Sequence, residues 1–199
     1  MAPAGILLAS ASPFRRRLLE AAGVPFRVAP AHVDEAAVKH ELAGRAGPAG
    51  IAEALAAAKA EGVSRDHPGS LVIGSDQVVA LGGALIDKPV DLGDARAQLE
   101  RLRGKTHRLV TAVALAQDGH IVWTTVQSAS LTMRNFSDAF LDRYVAECGE
   151  GLRQVAGSYE IEGRGIQLFE RVEGDHFTIV GLPLVPLLAE LRARGALPR

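Results

Sequence analysis

The chain has 199 residues, with 22 Lys plus Arg against 23 Asp plus Glu and a formal net charge of -1 at pH 7. That near-balance excludes the strongly basic surface with which nucleic-acid-coating proteins neutralise many phosphates at once, so no stable nucleic-acid binding is expected. Hydrophobic residues at 48% and charged residues at 23% exclude compositional disorder, and the one cysteine, Cys148, excludes an internal disulfide or a thiolate zinc cluster and suits a reducing compartment.

Residues 6–10 read as a short buried strand that ends in small residues. Ser12 suits an N-cap, Pro13 the first helical position and Gly23 the stop of the helix that follows. The apolar run faintly imitates a signal peptide, but it is too short, and the basic cluster Arg15-Arg16-Arg17 follows it instead of preceding it. No stretch approaches the roughly 20 apolar residues of a membrane helix. A cytoplasmic protein with no membrane association is therefore expected. Residues 26–29 read as a second strand, a polar stretch holds Asp34 and Glu35, and 48–61 form an Ala-rich helix closed by Gly62.

Residues 71–74 are a buried-type strand ending at Ser75-Asp76-Gln77, where polarity rises, and 78–86 read as a hairpin turning at Gly82-Gly83. Asp91 or Asp94 caps a helix to about residue 103, and strands 108–116 and 120–132 are joined by Asp118-Gly119. Ser137 opens a helix to about 147, followed by a glycine-punctuated segment 157–165 and a strand through Leu168 and Val172. A turn at 173–175, a strand near 177–180 and a final helix from Pro183 complete the chain. With no repeat or linker, one α/β domain over residues 1–199 is expected.

Familiar motifs are excluded in turn. Gly104-Lys105-Thr106 resembles the end of a P-loop, but Leu99 stands where the motif needs glycine and a strand follows instead of a helix. No Gly-x-Gly-x-x-Gly follows the first strand, no Gly-x-Ser-x-Gly exists, and no histidine has a histidine four residues on.

Three features carry chemistry. In Ser10-Ala11-Ser12-Pro13-Phe14-Arg15-Arg16 a strand feeds a capped helix whose free N–H groups, hydroxyls and arginines can cradle a polyphosphate; a plain cap with solvated arginines fits equally well. Asp76, just past an apolar strand, can hold Mg²⁺ or activate water, although an isolated aspartate there is more often a turn residue. Asp34 and Glu35 add two carboxylates that fit a solvated loop as well as a site. Only four lysines, at 39, 59, 88 and 105, stand against eighteen arginines, so Lys59 and Lys88 are candidate phosphate contacts or plain leftovers of an Arg-rich composition. Glu160, Glu162 and Arg164 lie in the 157–165 segment, which can close over a base or remain an ordinary loop.

Taken together, the blocks resemble the Maf family of nucleoside triphosphate pyrophosphatases. They are Leu8-Ala9-Ser10-Ala11-Ser12-Pro13 with Arg15-Arg16, Val33-Asp34-Glu35, Ala58-Lys59-Ala60, Gly74-Ser75-Asp76-Gln77-Val78 and Asp87-Lys88-Pro89. Gly104-Lys105-Thr106-His107, Gly157-Ser158-Tyr159 and Val180-Gly181-Leu182-Pro183 follow in family order over nearly the whole chain. The resemblance implies an elongated mixed-sheet α/β fold with two lobes around a deep cleft, like inosine triphosphate pyrophosphatases. It implies a cytoplasmic, often dimeric enzyme that splits a nucleoside triphosphate into monophosphate and pyrophosphate with Mg²⁺ or Mn²⁺. Asp76 is then the base; Ser12, Arg15, Arg16, Lys59 and Lys88 bind the triphosphate; Asp76 and Glu35 hold the metal. Phe14, Gln77 and Glu162 match the subgroup acting on 7-methyl-GTP, whose cationic base suits a carboxylate and an aromatic face. The alternatives are a broader house-cleaning pyrophosphatase and a nucleotide-binding regulator of septum formation.

Overall fold

The computed structural model describes residues 5–198, which fold as mixed α and β structure around a seven-stranded sheet of order β2-β1-β3-β5-β6-β7, with β4 paired to β3. The strands are β1 (Ile6–Leu8), β2 (Arg27–Val28), β3 (Leu71–Leu81), β4 (Ala84–Ile86), β5 (Thr106–Gln117), β6 (His120–Met133) and β7 (Phe169–Glu173). The helices are α1 (Pro13–Ala21), α2 (Glu35–Leu42), α3 (Pro48–Asp66), α4 (Leu92–Leu102), α5 (Asp138–Cys148), α6 (His176–Val180) and α7 (Leu184–Ala193). The chain divides into two compact units, and β3, β5 and β6 each contribute to both.

The first unit comprises the chain up to Gln77, Val110–Gln127 and the segment from Asp175 onward. In it β1 pairs parallel with β2 (Leu8 opposite Val28) and with β3 (Leu8 opposite Ile73). Parallel strands covered on both faces should be apolar throughout, and Ile6, Leu7, Leu8, Leu71, Val72 and Ile73 are all buried. One face packs Leu8, Ile73, Val113 and Leu115 against Leu19 of α1 and Leu184, Leu187 and Leu191 of α7; the other packs Leu7 and Val72 on Val63 of α3. The second unit comprises Val78–Leu109 and Ser128–Gly174. There Val79 pairs antiparallel with Ile86 across the hairpin turn at Gly82-Gly83, and Leu131 pairs antiparallel with Val172.

Most elements match expectation. Ser12 caps α1, Asp91 and not Asp94 caps α4, and Ser137 caps α5. Four differences have physical causes. The polar stretch after β2 contains α2, whose N-cap is Asp34, with its carboxylate accepting from Ala37 N at 3.0 Å. Helix α3 continues past Gly62 because Val63 and Ser64 are buried, which outweighs the roughly 1 kcal/mol that glycine costs inside a helix. Strand β3 runs on through Ser75-Asp76-Gln77 to Leu81, so Asp76 lies mid-strand and not at a strand end. Residues 176–180 are helical, not extended, because Asp175 accepts from Thr178 N at 2.7 Å and so caps a turn that β-branched residues would otherwise disfavour.

Candidate active site

Gly74 sets the site's geometry. A Cβ at that position would lie 2.2 Å from the Ala56 carbonyl oxygen and 2.7 Å from Ala60 N. Only glycine therefore lets α3 lie directly on β3. That contact puts Lys59, beside Ala60, level with Asp76, two residues beyond Gly74 and hence on the same face of the strand. Lys59 Nζ lies 2.5 Å from Asp76 Oδ1 and 2.7 Å from Glu35 Oε1. The Lys59 and Asp76 side chains are only 12% and 10% exposed, whereas Glu35 is 46% exposed. The pair is therefore an interior ion pair, reached at its rim by Glu35 from the first turn of α2. Capping gives the adjacent carboxylates separate work: Asp34 holds the helix, and Glu35 reaches the lysine.

Arg15 is fixed by contacts that sequence reasoning missed. Its Nε donates to the Gly181 carbonyl at 2.8 Å and its Nη1 to Ser10 Oγ at 3.1 Å, while Ser10 Oγ also accepts from Ser12 N at 3.2 Å. Burial lowers the Arg15 pKa below its ordinary value, and the nearby Asp76 and Glu35 charges oppose that shift. The same Gly181 carbonyl accepts from Ser75 Oγ at 3.1 Å, and Ser75 Oγ donates to Ala112 O at 2.8 Å. One carbonyl thus couples the arginine to the strand that carries Asp76. Gly181 lies in the Val180-Gly181-Leu182-Pro183 block, the one signal in the sequence that could have pointed to it.

The other expected residues divide. Ser12 caps α1 with a long 3.5 Å contact from Arg15 N. Arg16 is on the exposed side of α1, its Nε on Glu20 Oε1 at 2.7 Å, and shares no described contact with the Lys59 cluster. Phe14 is half-buried, with the Arg17 guanidinium 5.1 Å from its ring centroid. Gln77 is a strut: its Nε2 donates to Thr111 Oγ1 at 2.8 Å and to the Thr178 and Ile179 carbonyls at 3.0 and 3.2 Å, holding α6 against β3 and β5. Lys88 and Glu162 are exposed residues of the second unit.

For a divalent cation, the donor set in the first unit is the carboxylates of Asp76 and Glu35. Among the described residues no three His, Cys, Asp or Glu side chains converge on one point. A pair of carboxylates fits Mg²⁺, which is usually held by one or two carboxylates, waters and substrate phosphates, and does not fit an all-protein cage.

The fold and cluster define a mixed α/β protein with a buried lysine-carboxylate pair beside an arginine held at a helix N-terminus. The Maf-like protein family model matches residues 5–194, and the chain belongs to that family. A nucleoside triphosphate pyrophosphatase of Paramagnetospirillum magneticum is 52% identical over 96% of this chain and 99% of its own. Proteins named 7-methyl-GTP pyrophosphatase from Rhizobium johnstonii and Brucella abortus are each 50% identical, covering 96% and 94% of this chain and 97% and 94% of their own. Among solved structures, a dITP/XTP pyrophosphatase of Mycobacterium abscessus covers 98% of each chain at 18% identity and a TM-score of 0.43.

Proposed function

We propose that this protein is a nucleoside triphosphate pyrophosphatase that cleaves the α-β phosphoanhydride, with 7-methyl-GTP as its preferred substrate. The observation that carries the reading is the Lys59 ammonium on both Asp76 and Glu35, with Arg15 close enough to feel both carboxylates. The names of the relatives support the activity, and they divide between the general and the 7-methyl-GTP form. Asp76 and Glu35 would hold Mg²⁺ or Mn²⁺, which when bound would supply charge neutralisation at the phosphate oxygens.

Asp76 accepts the proton of the water that attacks the α-phosphorus. The new O–P bond forms as the bond to the bridging α-β oxygen breaks, and that oxygen leaves with pyrophosphate. Arg15, through the N–H groups not spent on Gly181 and Ser10, takes the developing phosphate charge, joined by Ser12, Arg16 and Lys59 of the same unit. Phe14 selects the base, and Gln77 acts on that choice through its hold on α6; in the second unit, Glu162 is the residue whose type sets nucleotide selectivity. The Arg17 guanidinium 5.1 Å from the Phe14 ring centroid supports this reading, because a methylated guanine needs a ring face that packs against a cation. On this reading the protein works in the cytoplasm as a homodimer, and light scattering tests its oligomeric state.

The test is product analysis with 7-methyl-GTP and the common nucleoside triphosphates in the presence of Mg²⁺ or Mn²⁺. Monophosphate and pyrophosphate are expected, with the highest kcat/KM for 7-methyl-GTP. Orthophosphate with diphosphate left behind would overturn the mechanism, and an equal rate on every nucleotide would leave the broader house-cleaning reading.

A further inference from the structure

The motif blocks around His107 and Tyr159 have no part in the site described above, yet they meet in the interior of the second unit. His107 on β5 is 1% exposed and Tyr159 is 6% exposed. His107 Nε2 and Tyr159 Oη lie 2.6 Å apart. The two rings also pack on Phe169 at the start of β7, with centroids 5.9 Å (His107) and 4.9 Å (Tyr159) away. His107 Nδ1 is buried and, among the described residues, has no hydrogen-bond partner. Leaving a buried polar atom unpaired costs on the order of 1–3 kcal/mol. An apolar residue would fill the same aromatic niche without that cost, so the one hydrogen bond to Tyr159 is what the imidazole adds.

That bond anchors the 157–165 segment from one side. The neighbouring Ser158 is held at a φ of 60°, a conformation disfavoured for a residue with a Cβ, and its buried hydroxyl donates to Gln98 Oε1 at 3.3 Å. From the other side the segment closes on Glu160: Gly163 N donates to Glu160 O at 3.2 Å, and a Cβ at Gly165 would lie 2.4 Å from the same oxygen. Glu162 stands between these two anchored points. Glu162 thus follows Tyr159 within a short, tightly closed turn.

We propose that the His107–Tyr159 hydrogen bond is a positioning device that sets the place of Glu162, making His107 and Tyr159 determinants of nucleotide selectivity that do not touch substrate. The inference rests on the reading of Glu162 as a base-selecting residue. A purely structural pair would change stability or the active fraction of enzyme, and neither alters the ratio of kcat/KM for 7-methyl-GTP to that for GTP. That ratio is measured for the wild type, Tyr159→Phe, His107→Gln, Glu162→Gln and the Tyr159→Phe, Glu162→Gln double variant, with melting curves for each.

Tyr159→Phe keeps the ring and removes one hydrogen bond, and it is expected to lower the ratio roughly five- to tenfold. It should add nothing in the Glu162→Gln background, since coupled residues are not additive. His107→Gln retains a hydrogen-bonding group on a flexible side chain and should keep most of the selectivity; it also carries the comparison if Tyr159→Phe does not fold. An unchanged ratio in Tyr159→Phe, with Glu162→Gln lowering it, overturns the inference and leaves the reading of Glu162 intact. Equal falls in both backgrounds overturn it likewise. An unchanged ratio in Glu162→Gln itself overturns the reading of Glu162 and the inference with it.

Discussion

Lys59 and Asp76 are each nearly enclosed, and each is the other's main compensation for lost hydration. Removing one partner of such a pair costs about 3–5 kcal/mol, because the remaining charge stays buried. Lys59→Met should therefore lower both thermal stability and kcat, whereas Asp76→Asn, which leaves Lys59 its contact with Glu35, should lose roughly 10²–10⁴-fold in kcat with a smaller fall in melting temperature. Pyrophosphate release and calorimetry read the two effects separately. His107 makes a different prediction at the same scale. Burial lowers its pKa from 6.5 to about 4, so the unfolded chain binds a proton that the folded chain refuses. Its contribution is complete above pH 6.5 and is lost as pH falls toward 4, by roughly 3 kcal/mol. Urea unfolding of wild type and His107→Gln across that range should show the steeper acid loss in the wild type.

At the scale of elements, the decisive contact is α3 on β3. Gly74→Ala drives a methyl group into the backbone at Ala56 and Ala60, which must shift because neither is a flexible side-chain end. Overpacking of this kind costs about 1–3 kcal/mol, and for a chain this long that lowers the melting temperature by roughly 2–12 °C. Activity should fall further than stability does, because the shift separates Lys59 from Asp76. A folded Gly74→Ala protein with wild-type kcat would show that this spacing does not matter. Helix α2 carries the corresponding lesson for caps. Asp34→Ala removes the side-chain acceptor for Ala37 N and should cost about 1 kcal/mol, while loosening Glu35 from Lys59.

At the scale of the molecule, a net charge of -1 conceals local sorting: a lysine and an arginine meet two carboxylates in the first unit. A non-hydrolysable 7-methyl-GTP analogue with Mg²⁺, at 100 times its dissociation constant, should stabilise the protein by about 2.7 kcal/mol and raise its melting temperature by several degrees. No rise at saturating analogue would remove the proposed site. Local chemistry in the sequence determined much of this protein: the caps at Ser12 and Ser137, the turns at Gly82-Gly83 and Asp118-Gly119, the apolar strands and the mixed α/β class all follow from short-range rules. The residues Asp76, Lys59, Glu35 and Arg15 were legible as candidates because their types and motif blocks stand out. Their grouping was not, since 17 residues separate Lys59 from Asp76 and 166 separate Arg15 from Gly181. Only the tertiary structure decided that Asp76 is mid-strand, that Asp34 is a cap while Glu35 meets the lysine, that Gln77 is a strut, and that His107 meets Tyr159. The reason is physical: capping and turn preferences act over a few residues, whereas burial, ion pairing and close backbone approach depend on which distant segments share the core.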